Sequence, residues 1–372
     1  MKERANKFLK NLDFFLGIPV VFFLGIIKKI LLKKKPVSIE KTNISRIGIL
    51  KEAAIGDLTI LTGILKDLEI AFPMAKIILF CSKSNYELTR LFDLKGQIEV
   101  VVLPMTNIFK TIEMVMGVDE MDILFDFGQW PRINSVISFF ANAKIKVGFQ
   151  TDKQYRHYVY DVVVIHSNKR HEIENFRELL KVMGIKSGSM PSLRVEDCEL
   201  KLPEKFVVFH MFPGGSRAHL KKWNVNNWVV LGKYLIEKGY CIILSGGKDN
   251  YKDAEVVRWK FEHEGIDGNK IINFAGEKLI NTVYALTKSS LVISIDTAIV
   301  HIASALNIKL IALYGPTSPE RWGPLSKNSR AISSTADCGP CISLGFESKC
   351  EKNKCMDLIK PSKVIEIIDS LL

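Results

Sequence analysis

The sequence predicts an α/β protein of two doubly wound, Rossmann-like domains, each a parallel sheet flanked by helices and the two facing each other across a cleft. Three observations predict this. From residue 44 onward, short apolar runs rich in β-branched residues alternate with amphipathic stretches. The alternation stops in a polar, Pro-punctuated segment at 187–205 and then restarts. The chain has 372 residues, about twice the usual single-domain size. Regular strand-to-helix alternation implies a mostly parallel sheet, because each crossover helix covers a sheet face.

Residues 1–35 stand apart from that pattern. They carry nine Lys/Arg against Glu3 and Asp13, a net +7 out of the chain's +12. The remaining +5 over the rest of the chain is weak support for nucleic-acid binding, and none is expected. Residues 14–27, FFLGIPVVFFLGII, are uncharged and flanked by Lys7, Lys10, Lys28, Lys29 and Lys33 to Lys35. A helix of that length covers roughly 21 Å, short of the ~30 Å hydrocarbon core. Apolar insertion plus a polybasic flank predicts an interfacial membrane helix, with a spanning anchor and an ordinary packed helix as the alternatives. A signal peptide competes less well, since no small-x-small cleavage site follows the apolar run. The expected place is the cytoplasmic face of a membrane, peripheral, against an anionic lipid surface.

In the first domain, expected at 44–186, strands are predicted at 44–50, 76–81, 98–103, 121–127 and 144–149. Helices are predicted at 57–72, 85–92, 134–142 and 171–184. After the 187–205 linker, the second domain at 206–372 repeats the scheme. Its strands are expected at 206–212, 241–246, 271–276, 291–296 and 309–315, and its helices at 225–238, 252–264, 279–288 and 297–306. Ligands of such folds bind outside the carboxyl ends of the strands, so candidate chemistry belongs to loops that follow strands.

Four loops qualify. In the first, Gly56 and Asp57 open a helix after a strand: Asp57 is either a helix cap or a general base. In the second, Gly214, Gly215 and Ser216, with Lys221 or Lys222, form either an anion cradle or a plain solvated turn; the order of residues is not that of a Walker loop. In the third, Asp296 ends a strand, Thr297 opens a helix, and His301 follows one turn later on the same face. This is either a phosphate-favouring helix start or a capping pair with an incidental histidine. The fourth is Cys338-x-x-Cys341-x8-Cys350-x4-Cys355, within a Cys-rich segment at 338–355. A structural zinc, labile disulfides and no special role all remain open for it. Cys81, Cys198 and Cys241 are scattered and are expected to be unpaired.

Several of these pieces occur in one order along the chain. They are IGDL (55–58), PGGSRAHLKKW (213–223), SGG (245–247), FAG (274–276), DTAIVHIASALN (296–307), LYGPTSPERWGP (313–324), then CGPC…CM and IKPSKV (359–364). From about residue 44 to the C-terminus the chain thereby resembles glycosyltransferase family 9, the heptosyltransferases of lipopolysaccharide core assembly. The resemblance implies a GT-B architecture with an acceptor-binding first domain and a nucleotide-sugar-binding second domain. It implies inverting transfer of a sugar, a heptose from an ADP-linked donor, onto a lipopolysaccharide core or related lipid-linked acceptor, with no cofactor required for catalysis.

Carried over by the resemblance, Asp57 is the general base. Ser216 and Lys221 match the donor-phosphate contacts, and Asp296, Thr297 and His301 the segment that holds the donor; Gly214, Gly215 and Ala298 are expected beside them at the donor site. Ala298 stands where the family has glycine, and Ile299-Val300 where it has Pro-Met, so donor geometry here is expected to differ. Asp249, Asp253 and Glu255 are equal candidates for a further acidic donor contact. The alternatives are a nucleotide-sugar epimerase of the same architecture and a membrane-recruited nucleotide-binding scaffold without activity.

Overall fold

The computed structural model describes residues 11, 13–31, 44–215, 217–342 and 350–372. The chain divides into two compact units, with the division between Pro191 and Ser192. A helix, α1 (Gly17–Leu31), precedes the sheet of the N-terminal unit. That sheet is built from β1 (Arg46–Leu50), α2 (Ile55–Ala71), β2 (Lys76–Ser82), β3 (Ile98–Leu103), α3 (Ile108–Met116) and β4 (Met121–Asp126). It continues through α4 (Arg132–Phe140), β5 (Ala143–Gln150), β6 (Val162–Ile165) and α5 (Glu172–Lys181). The six strands are parallel in the order β3-β2-β1-β4-β5-β6, with Ile47 paired to Ile77 on one side and Ile123 on the other.

The C-terminal unit repeats this with β7 (Phe206–His210), α6 (Val225–Glu237), β8 (Cys241–Leu244), α7 (Tyr251–His263), β9 (Ile271–Asn273) and α8 (Leu279–Lys288). It continues with β10 (Leu291–Ile295), α9 (Ala298–Ala305), β11 (Leu310–Tyr314), β12 (Ser329–Ser333) and, at the end of the chain, α10 (Pro361–Leu371). Its six strands are also parallel, in the order β12-β11-β10-β7-β8-β9. Both orders are the doubly wound one, in which the first strand of a unit lies between its second and fourth. The central strands are almost wholly apolar: every residue of β10 and β11 is buried, as expected when helices cover both faces. Trp228, Phe209 and Phe261 are among the largest fully buried side chains of the C-terminal core.

Four elements were not expected from the sequence: β6, α3, β12 and the last helix, α10. β6 is a four-residue edge strand following a 3-10 turn at Arg156–Val159, too short to register as an apolar run. α3 is fixed by burial of Thr111 and Val115, and the Asn107 side chain caps it by accepting the Lys110 amide at 3.1 Å. β12 pairs along β11 although its sequence, SRAIS, is mostly polar, as an edge strand allows. The helix expected at 85–92 is a 3-10 helix, Tyr86–Leu91.

Each sheet has one place where the strand order reverses. In the N-terminal unit it lies between β1 and β4, in the C-terminal unit between β7 and β10. The loops leaving those four strands therefore bracket the positions where such folds bind ligands.

Candidate active site

At the N-terminal switch point the loop after β1 brings Lys51 and Glu52, and the first turn of α2 brings Asp57. The loop after β4 brings Gln129. Lys51 Nζ lies 3.1 Å from Asp57 Oδ1 and donates to Gln129 Oε1 at 2.9 Å, while Gln129 Nε2 donates to Asp57 Oδ1 at 2.6 Å. The three side chains close a triangle. Lys51 is 3% exposed and Asp57 18%, so the ammonium is enclosed and the carboxylate reaches the surface. Both contacts fall on Oδ1; among the described residues nothing bonds to Oδ2, which is left to accept a proton.

Asp57 is not the helix cap. The cap position of α2 is Ala54, which offers no side-chain bond, and Asp57 sits within the first turn. The capping alternative from the sequence is thereby excluded, and the carboxylate is held by Lys51 and Gln129 instead.

Behind the triangle a buried network fixes the loop that carries Gln129. Asp126, at the end of β4, accepts from the Gly128 amide at 2.8 Å, from Ser138 Oγ at 3.1 Å, from Arg156 Nη2 at 2.8 Å and from the Tyr160 hydroxyl. Arg156 also donates to the Gly128 carbonyl, and Thr151 Oγ1 to the Gln129 carbonyl at 2.8 Å. Glu52 accepts from Asn134 at 2.6 Å; burial pushes its carboxyl up, against the opposing pull of Lys51 and Asn134. Sequence reasoning missed Lys51, Glu52 and Gln129, although the first two directly follow a predicted strand and Gln129 lies two residues beyond another. The Asp126, Arg156 and Tyr160 network left no local signal, because its members are brought together only by the fold.

At the C-terminal switch point the loop after β7 carries Lys221 and the loop after β10 carries Asp296. Lys221 Nζ lies 2.7 Å from Asp296 Oδ2 and 3.5 Å from the Asp296 carbonyl. Burial alone would raise the Asp296 carboxyl; Lys221, with Thr317 and His301 nearby, outweighs it and holds the group below the ordinary carboxylate range. Thr297 caps α9 through the Ile299 amide at 3.3 Å and meets Ser294 Oγ at 3.2 Å. Ala298 is the first helical residue, and His301, buried one turn on, lies with its ring edge to Trp322. A side chain at Gly214 or Gly215 would meet nothing within 4 Å, and Gly215 has φ +82°, where glycine is favoured. Ser216 lies outside the described residues, and Lys222 is exposed.

His210, at the end of β7, was not singled out from the sequence. Its Nδ1 lies 2.9 Å from Ser245 Oγ, and burial pushes its pKa down to about 4.

The zinc expected at the cysteines finds no support. Cys338 and Cys350 are exposed, Cys341 is partly buried and Cys355 is buried beside Met356 in the C-terminal core. Among the described residues no three His, Cys, Asp or Glu side chains gather as metal ligands. Burial, followed by the other three thiols, pushes the Cys355 thiol up to about 11. Residues 343–349, between the two cysteine pairs, lie outside the described residues.

A lipooligosaccharide heptosyltransferase 2 of Haemophilus ducreyi is 34% identical over 164 residues, 43% of this chain and 46% of that protein. The chain thus spans less than half the length of this curated relative. Among solved structures, a glycosyl transferase family 9 protein of Veillonella parvula superposes with TM-score 0.74 at 17% identity, over 91% of this chain and 99% of its own. The E. coli ADP-heptose lipopolysaccharide heptosyltransferase II superposes with TM-score 0.69 at 18% identity, over 88% and 98%. At such identities the likeness establishes the fold, the α/β GT-B type of these transferases. The family description "Glycosyltransferase family 9 (heptosyltransferase)" matches residues 133–352, more than half of the chain, and the chain belongs to that family.

Proposed function

We propose that the protein is an inverting glycosyltransferase that moves a heptose from an ADP-linked donor to a hydroxyl of a lipopolysaccharide core or related lipid-linked acceptor. The observation that carries this reading is the Lys51, Asp57 and Gln129 triangle, with one carboxylate oxygen engaged and the other available. Asp57 Oδ2 takes the acceptor hydroxyl's proton as its oxygen bonds to the sugar C1, and the bond from C1 to the phosphate oxygen breaks on the opposite side. Lys51 and Gln129 fix the orientation of the carboxylate. The charge that develops on the departing diphosphate falls to the C-terminal unit. Lys221 keeps an N–H beyond the two directed at Asp296, and the start of α9 adds its amides and dipole.

Supporting the donor assignment are family membership and the likeness in fold to the E. coli ADP-heptose lipopolysaccharide heptosyltransferase II. Ala298 puts a methyl where the family has a backbone approach, so the donor's phosphates are expected to sit against Gly214 and Gly215. The test is transfer from ADP-heptose to a truncated lipopolysaccharide core, with the product's anomeric configuration read by NMR. Acceptor-dependent ADP release with inverted configuration is expected. Retention of configuration, or donor turnover that ignores the acceptor, would overturn the reading.

A further inference from the structure

The transfer reading leaves α1 without a role, and the structure gives that helix two unlike faces. One rests on the N-terminal unit: Val21 and Leu24 are buried with Val159 and Tyr160, beside Ile27, Val136, Phe139 and Phe140. Both ends are tied down. At the start, Asp13 accepts from the Arg132 amide at 2.9 Å and from Arg132 Nη1 at 2.7 Å; at the end, Lys28 Nζ meets Asp161 at 2.6 Å and the Val159 carbonyl at 2.9 Å. Gly17 and Gly25 face the same support, where a Cβ would come within 3.0 Å of Arg132 and 2.7 Å of Tyr158. The helix is a docked part of the unit.

The opposite face should be polar in a helix lying on a water-facing surface. Here it is formed by Pro19, Phe22, Phe23, Ile26 and Ile30, which fall within about a third of a turn and are all exposed, as is Phe15 just ahead of the helix. Phe22 and Phe23 are 54% and 62% exposed. The patch extends beyond the helix. Phe22 meets Tyr158 edge-on at 6.0 Å, and Tyr158 stacks on Tyr155, which is held at φ +59°.

We propose that this face, with Tyr155 and Tyr158, lies in the interface of an anionic lipid bilayer, so that the N-terminal unit is seated on the membrane by a helix that does not cross it. Docking of α1 on the N-terminal unit argues against a spanning placement of this helix. Its 15 residues extend roughly 22 Å against the ~30 Å hydrocarbon core, and no helix among the described residues is long and apolar enough to cross a membrane. Crossing would also carry the Asp13–Arg132 and Lys28–Asp161 pairs into hydrocarbon.

Charge selects lipid over a second copy of the chain. The segment 1–35 has net +7, so two such faces repel, whereas anionic headgroups attract them; the sequence continues from the helix into Lys33, Lys34 and Lys35. Tyrosines suit the boundary, with an apolar ring and a wet hydroxyl. In a bacterium this surface is the cytoplasmic leaflet of the inner membrane. Arg132 lies three residues from Gln129, so the seated helix and the Asp57 triangle share one short stretch of chain, and a lipid-linked acceptor would meet both.

The test uses the full chain in flotation with vesicles of phosphatidylcholine alone or with added phosphatidylglycerol. The protein is expected to float with the anionic vesicles and to be released by salt. Phe22→Glu with Phe23→Glu should weaken binding about tenfold or more without changing thermal unfolding. Phe15→Ser with Ile26→Ser is the milder second pair, expected to act in the same direction. Val256→Glu with Trp259→Glu, on the exposed apolar face of α7, is the control and should leave vesicle binding unchanged. Absence of binding to anionic vesicles, or equal loss in the α7 control, would overturn the proposal. So would a dimer in solution that the α1 substitutions dissociate while vesicles make no difference, because a second copy would then be the occupant.

Discussion

Gln129 and Lys51 hold one oxygen of Asp57 and leave the other bare, which makes them positioning residues with separable effects. Gln129→Leu removes a bond to the carboxylate while the loop stays anchored by Asp126, Arg156 and Thr151. Transfer is expected to fall about tenfold in kcat, with KM for the donor and thermal stability nearly unchanged. Lys221 behaves differently, because it is both a candidate phosphate contact and the partner of the enclosed Asp296. Lys221→Met alone should destabilise the C-terminal unit by roughly 3 kcal/mol, since it strands a buried carboxylate. Adding Asp296→Asn should restore most of that stability in a denaturant titration while ADP affinity stays at least about tenfold down. Recovery of affinity together with stability would show that Lys221 only supports Asp296.

At the scale of elements, the doubly wound order places functional groups at strand ends, and two of those elements make further predictions. His210 closes β7 with a pKa of about 4 against an ordinary 6.5. Between those values the unfolded chain takes up a proton that the folded one refuses, so stability is full above about pH 6.5 and declines as pH falls toward 4. Thermal or urea unfolding should show a loss of about 1 to 2 kcal/mol from about pH 7 to about pH 5, flattened in His210→Gln. The window stays above the range where Asp296 contributes. For α1, Gly25→Leu should lift the helix from its support because the added carbon meets Tyr158. Faster hydrogen exchange across residues 17–31, with the sheet of the N-terminal unit still protected, is the expected outcome.

On the scale of the whole molecule, apolar periodicity revealed ten of the strands because buried parallel strands carry an unbroken apolar signature, as in β10 and β11. It missed β6 and β12, edge strands of four and five residues that bury little. The site was partly legible for a related reason. Asp57, Lys221, Asp296 and Thr297 announce themselves by standing next to glycine turns and helix starts, where residue type and position agree. Gln129 and the Asp126, Arg156 and Tyr160 network do not, since their meaning depends on β4 lying beside β1, a pairing of Ile47 with Ile123 far along the chain that no local pattern encodes. The proposed mechanism gives proton removal to one unit and charge stabilisation to the other, and the two must be separable by substitution. The most direct measurement is Asp57→Asn, which keeps Oδ1 for Lys51 and Gln129 and loses only basicity, assayed for transfer and titrated with ADP. The account predicts a fall in transfer of about 10²-fold or more with ADP affinity within about twofold of the unsubstituted protein. Retention of more than about a tenth of the activity, or a parallel loss of ADP binding, would contradict it.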